Sequence, residues 1–556
     1  TSNTGIGCSA LDANTTGNYN SAVGYGALGS NTTGTRNTSL GYTALTANTT
    51  GDFNTSLGYN ALGNNTTADY NTGIGYKALE DNTTGAQNVA VGDHALRDNT
   101  TADYNTGVGN AALNSNTTGA SNTAVGANSL DANTTGTQNT AVGRHALSAA
   151  STADNNTAVG YYALTANTTG AYNTAVGHSA LDANTTGQYN TCVGDLALSG
   201  NIDGEYNTAI GHKSLELNTV GRRNTAVGSF VLRTMDPASS ALTYNTGMGY
   251  GALYATTTGV NNSAIGAFAL YTQTTGDNNT AVGYEALYAN TTADHNLAVG
   301  HQALRANTTG TSNVAVGSLA LDANTTGNQN VAVGKNALGS NTTTSYNTAL
   351  GHGSLAVATA NNNTAVGFHA LVANTTASNN TAVGYEAMTA NTTGTSNVAV
   401  GRNALDANTT GDNNTAVGEH ALGACTTSVQ NTAVGQGALY NTTADDNTAV
   451  GNHAMLANTT GFWNTAVGSG ALDANTTASY NVAIGSGALG QSNAEKNVAV
   501  GHNALHGVTT GTRNIAIGID AGNGQTTGSN NVYIGPDCPE AAGTSNEVII
   551  YNNTKQ

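Results

Sequence analysis

The sequence predicts an all-β protein: a parallel β-roll, or β-solenoid, of about 33 coils of 17 residues each. Three observations carry that expectation. First, one word fills nearly the whole chain. Asn279-Thr280-Ala281-Val282-Gly283-Tyr284-Glu285-Ala286-Leu287-Tyr288-Ala289-Asn290-Thr291-Thr292-Ala293-Asp294-His295 restarts at Asn296. A unit copied end to end makes a quasi-one-dimensional array rather than a set of separate domains. Second, the word opens with alternation, Thr280 and Val282 to one side and Ala281 to the other, which is the period of a strand. Third, so short a unit, rich in Asn, Thr and Gly, has no room for a helix–strand repeat and is poor helix material. Low complexity alone suggests disorder, but aliphatic residues return at fixed places, which a disordered tract does not require.

Within the word, each element has a reason. Asn279 to Gly283 reads as a strand. The Val282 place holds only Val, Ile, Leu or Met (Ile6, Leu40, Val91, Met248), so Val282, Val299 and Val316 are expected in the core. The Thr280 place takes Val89, Leu297, Ile515 or Ser21, β-branched by preference. The opposite-facing place is almost always small. Ala281, Ala298 and Ala315 are therefore expected to form a seam where another backbone comes close. Gly283 and Gly300 end their strands at a place suited to positive φ or close approach. Ala286-Leu287 is the second apolar step, with Leu287 in the core. Asn290 begins the second corner, since Asn tolerates the left-handed region and bonds its own backbone. The expected coil thus has two short strands and two turns, stacked at the interstrand spacing of about 4.8 Å.

Units begin at Asn3 and recur with the same period to Asn224. The next, 224–244, is longer, with an insertion around Phe230 to Pro237. Shortened units begin at Asn347, Asn431 and Asn481, the first losing a residue near Thr359. Every length change falls outside Asn-x-x-x-Gly, so that segment is expected to hold register. Residues 1–530 form the repeat array. Residues 531–556 read as divergent capping coils, with Tyr533 at the small-residue place and Pro536 and Pro539 close behind. The chain opens on Thr1 inside a unit, as a processed polypeptide or part of a longer one does.

The formal net charge of −18 is under one charge per unit, and 14 Lys and Arg scattered along the chain make no basic stripe, which argues against nucleic acid. No apolar run reaches the roughly 18 residues of a membrane span, so membrane insertion by this segment is not expected. Cys8, Cys192, Cys425 and Cys538 lie in distant units, which argues against a disulfide framework or a zinc site. Cys192 takes the alanine place and reads as a small packed residue. Histidines such as His178, His212, His301 and His352 follow the strand Gly without companion carboxylates, so no metal site is expected. Tyrosines recur before the Asn (Tyr19, Tyr70, Tyr104, Tyr172, Tyr189, Tyr206) and after the Gly (Tyr25, Tyr42, Tyr59, Tyr76). Stacking from coil to coil is the simple reading of both. Asn14, Asn290 and Asn307 open glycosylation sequons, though a turn that needs Asn and Thr writes them by accident. No catalytic arrangement recurs, and neither enzyme activity nor a cofactor is expected.

Asn278-Asn279-Thr280-Ala281-Val282-Gly283 resembles the Asn-Ser-Val-Ala-Ile-Gly signature of the YadA-like head repeats of trimeric autotransporter adhesins. Asn481-Val482-Ala483-Ile484-Gly485 and Asn514-Ile515-Ala516-Ile517-Gly518 are closer still. Similar arrays occur in the shafts of phage-type tail-fibre proteins. The resemblance covers essentially the whole chain, with a period longer than the family's common one. It implies a left-handed roll, a homotrimer, and display outside a cell or virion. The expected function is a structural and adhesive fibre presenting a surface to a host glycan or protein. The thin core of each coil points the same way, toward sister chains packed along the Ala281 column. An ice-binding solenoid and a polysaccharide-degrading tailspike are the alternatives.

Overall fold

A computed structural model describes residues 2–538 and 543–552. The described residues form strands and turns and no helix. The chain divides into two compact units, Thr1–Asn279 and Thr280–Gln556. In the first, β1 (Thr4–Ile6) to β16 (Ser263–Ile265) pair parallel in chain order. In the second, β17 (Thr280–Val282) to β33 (Val548–Ile550) do the same. Each unit is a parallel β-solenoid.

Like pairs with like throughout: Thr280, Ala281 and Val282 lie beside Leu297, Ala298 and Val299. Register survives the insertion, where Thr225 pairs Thr246, and each deletion, where Thr348 pairs Thr364, Thr432 pairs Thr448 and Val482 pairs Val498. The Asn-x-x-x-Gly segment is held and the rest takes up the slack, as the unit lengths predict. Gly283 has φ 135°, and a Cβ there would lie 2.4 Å from the carbonyl oxygen of Gly300. Both reasons for glycine, positive φ and close approach, therefore apply at once.

Each coil has one strand of three residues, which corrects the expected two. Tyr284 to Ala289 is a run of turns instead. Glu285 at φ 52° and Leu287 at φ 51° are both left-handed, so the segment curls and cannot run extended. Its backbone is still satisfied from coil to coil. Leu287 N–H donates to Ala303 O at 3.0 Å and Ala289 N–H to Arg305 O at 3.0 Å. A second strand is unnecessary because the turns already supply a ladder.

The two strand faces are exchanged relative to expectation. Ala281, Ala298 and Ala315 are fully buried inside their own chain, and Leu287 is buried with them. Val282, Val299 and Val316 are only half-buried and lie on the outer face. The physical reason is the width of the coil. A Cβ added at Gly73, in the alanine column, would meet the Leu62 side chain and the Ala78 carbonyl at 3.1 Å each. In the same column the Ser39 hydroxyl donates to Ala44 O at 2.7 Å. The demand for small side chains comes from within the chain, from the leucine turn of the preceding coil together with the coil's own turn. Cys192 is fully buried in that column, and burial pushes its thiol pKa far up.

Asparagine completes the interior. Asn290 is fully buried and is not among the left-handed residues, which corrects its reading as a left-handed corner. It does bond local backbone, its Nδ2 donating to Ala293 O at 3.1 Å. Asn307 Nδ2 then donates to Asn290 Oδ1 at 3.0 Å and to Gly310 O at 2.9 Å, and Asn324 Nδ2 to Asn307 Oδ1 at 2.9 Å. A second ladder runs through the strand-leading asparagines. Asn313 N–H donates to Asn296 Oδ1 at 2.9 Å, and Asn313 Nδ2 to Gly327 O at 2.8 Å. Buried amides are stabilising where their groups find partners and costly where they do not, as at Asn133 Oδ1, Asn218 Oδ1, Asn475 Oδ1 and Asn481 Nδ2.

The divergent C-terminal coils keep the plan by exchange. Gly522 stands where leucine is the rule, and Tyr533 where alanine is. Tyr533 is fully buried, and a Cβ at Gly522 would lie 2.6 Å from its ring. The ring fills the space the leucine vacates, and its hydroxyl accepts from Gln525 Nε2 at 2.9 Å. In β33, Val548 and Ile550 are exposed. Pro539 and residues 540–542 and 553–556 of the expected cap lie outside the described residues.

Candidate interaction surface

With alanine, leucine and asparagine inside, the outer surface is a set of columns, one residue per coil. The strand's outer face carries the Thr280 and Val282 columns. In the valine column many members expose over a third of their surface, among them Leu40 and Met248 at 45% and Ile265 at 43%. Large apolar side chains thus recur coil after coil on one flat face. Scattered exposed apolar residues need no explanation, but a contiguous stripe does.

Two further columns carry rings. Tyr25, Tyr42, Tyr59 and Tyr76 stack with centroids 5.1–5.3 Å apart. Tyr172, Tyr189 and Tyr206 stack at 5.0 and 4.9 Å. Coil-to-coil stacking is therefore the arrangement, as the repeat predicts. It turns the ring faces toward one another and the edges to solvent, so the faces inside a ladder do not receive a sugar ring. Arginine joins the same ladders: Arg36 lies over Tyr19 and Phe53 at 5.7 and 5.0 Å, and Arg223 over Tyr206 and Tyr244, each at 5.6 Å.

The column after the strand Gly also brings charges together. Asp195 sits between His178 Nδ1 at 2.8 Å and His212 Nδ1 at 3.0 Å. Histidines here do have a companion carboxylate, contrary to expectation, because the repeat superposes positions that look distant in sequence. Hydrogen bonding by His178, then by His212, holds the Asp195 carboxyl below the usual range. Burial raises Glu216, but Arg233 and Lys213 outweigh it and leave its pKa lowered. His301 stacks on Tyr284 with centroids 5.6 Å apart, and His352 on Phe368 at 5.5 Å. Among the described residues no group of three or more His, Cys, Asp or Glu is placed to hold a metal ion.

At the corner, the Thr291 hydroxyl donates to Thr308 O at 3.2 Å, and the Thr308 hydroxyl to Thr325 O at 3.0 Å. Thr292 is exposed beside it. One of the two threonines is thus engaged in the coil-to-coil ladder. The sequon asparagines face inward. Asn290 and Asn307 are buried, with the amide nitrogens that would carry a glycan donating to backbone, which corrects the glycosylation reading at those sites. Asn14, half-buried in the first coil, donates to Gly17 O at 3.2 Å and accepts from Asn31 at 2.8 Å.

The periodic surface is broken where a coil is short. In coils 347–362, 431–446 and 481–496 the second corner threonine is missing, and Ala358, Thr442 and Ser492 stand at the ladder-asparagine place. The asparagine place is also changed in full-length coils, to Ala150, Thr256, Cys425 and Val508. A notch of about 300 Å³ lies beside coil 431–446. Compared with protein-family models and with curated proteins, the chain matches none of them.

Proposed function

We propose that this chain is the repeat segment of a structural and adhesive fibre, a homotrimer displayed outside a cell or virion. The observation that carries the proposal is the stripe of Val, Ile, Leu and Met on the outer strand face. A single chain leaves it partly exposed, and its repeat matches that of a second copy coil for coil. Sister chains packed face to face would bury a further part of each such side chain, worth roughly 1 kcal/mol per coil, multiplied over many coils. Three copies is the number implied by the resemblance to YadA-like head repeats. The seam in this reading is the Thr280 and Val282 face, not the Ala281 column.

Adhesion is assigned to the remaining columns, where tyrosine, histidine, arginine and aspartate vary from coil to coil over a constant scaffold. Variable side chains on an invariant frame suit the presentation of a binding surface. Sedimentation equilibrium on the purified full chain tests the assembly. Three copies are expected, and a stable monomer at micromolar concentration overturns the reading.

A further inference from the structure

The notch beside coil 431–446 differs from the rest of the surface in composition. It is lined by Thr443, Asp445, Asp446, Thr460, Phe462 and Trp463. Trp463 is the single tryptophan of the chain and is 53% exposed. Its ring meets Phe462 at 5.2 Å in a T-shaped pair and Tyr480 at 5.1 Å. The strands fix what lies on either side of it. Thr448 pairs Thr465 and Thr465 pairs Val482, so Asp446, Trp463 and Tyr480 are consecutive members of one column. Tyr480 is Trp463's ring neighbour on one side, and Asp446 is its column neighbour on the other.

Elsewhere in this column cations lie against rings. Arg36 lies between Tyr19 and Phe53, Arg223 between Tyr206 and Tyr244, and Lys496 over Tyr480 at 5.8 Å. At Trp463 the preceding member of the column is an acid, Asp446, and both line the notch. A cation held between an acid and a π-face is attracted by both. Asp445 Oδ1 accepts the Val429 N–H at 2.8 Å. Neither Asp445 nor Asp446 has a cationic partner among the described residues.

We propose that this notch binds an organic cation, an alkyl or quaternary ammonium group, between the Trp463 indole and the carboxylates of Asp445 and Asp446. The aromatic wall takes the apolar body of such a group, and the two acids balance its charge. A bare metal ion would gain little from the rings, and a neutral sugar would leave both carboxylates without a counter-charge.

The lone tryptophan is the reporter. Titrating the full chain with choline is expected to change its emission saturably, whereas the neutral isostere 3,3-dimethylbutan-1-ol gives no saturable change. Asp446→Asn and, independently, Asp445→Asn should each weaken choline by about tenfold, the loss of one close counter-charge. Both variants keep an acceptor oxygen, and an unchanged circular dichroism spectrum establishes that they fold. An equal response to choline and its isostere overturns the proposal. So does the absence of a saturable response to choline, or unchanged affinity in both folded variants.

Discussion

At the scale of the residue, two features set what each position tolerates: the left-handed backbone and the narrow interior. Gly283 combines φ 135° with a neighbouring carbonyl 2.4 Å from any added Cβ. Gly283→Ala must therefore strain the backbone and push Gly300 away, at a cost of about 2–4 kcal/mol. A drop in the unfolding midpoint with unchanged denaturant slope checks it. Leucine shows that side chains do enter the left-handed region when packing compensates, since Leu287 at φ 51° is fully buried. Aspartate gives a pH prediction. Burial raises the pKa of Asp131, offset in part by its own and the Ala132 amide, and its Oδ1 is buried without a hydrogen-bond partner. A raised carboxyl binds more protons folded than unfolded, so its penalty is absent below the unfolded pKa. The penalty grows as pH rises toward the folded pKa and is complete above it. Asp131→Asn is thus expected to stabilise the protein at neutral pH by less than about 1 kcal/mol, since the group is half solvated. The gain should vanish in acid, which melting curves across pH would reveal.

At the scale of the element, the coil was legible in part, and the limits are physical. Period, register and the glycine requirement follow from what recurs, and they are found. Which strand face turns inward does not follow from alternation, because a column of alanine and a column of valine each satisfy it. Hydrophobicity favours valine inside. The interior is instead set by Leu287 and its equivalents, whose left-handed turn leaves space only for alanine. No intrinsic preference announces a left-handed leucine, so the turn read as a strand. The asparagine ladders were hidden for a related reason: an asparagine that caps a corner and one that pairs with its counterpart in the next coil look alike in sequence. The C-terminal exchange shows how strictly the interior is filled. Tyr533→Ala should leave a cavity against Gly522 and cost about 3–5 kcal/mol. Gly522→Leu alone should clash with the Tyr533 ring, which lies 2.6 Å from its Cβ. The double variant restores the pairing used by other coils and is expected to recover most of the stability. A double-mutant cycle with no coupling between the two sites would show that they do not share that space.

At the scale of the whole molecule, the question is what the exposed valine face does, and the exchange of faces makes it decidable. Substituting a buried column and an outer column perturbs different equilibria. Ala298 is fully buried inside its own chain, so Ala298→Leu overpacks the interior. It should lower the unfolding midpoint, with a cost of about 1–3 kcal/mol, and leave the number of associated copies unchanged. Val282, Val299 and Val316 lie half-exposed on the outer face. Changing all three to Lys barely touches the interior of one chain. In a trimer it would bring nine like charges to the shared seam, nearly all desolvated, and cost far more than the lost apolar contact. Sedimentation equilibrium should therefore show the triple variant as folded single chains where the parent forms three-copy assemblies. If Ala298→Leu dissociates the copies and the lysine variant leaves them intact, the chains meet along the alanine column after all. If neither alters the mass, association runs through the aromatic columns, and the valine stripe is a consequence of strand propensity alone.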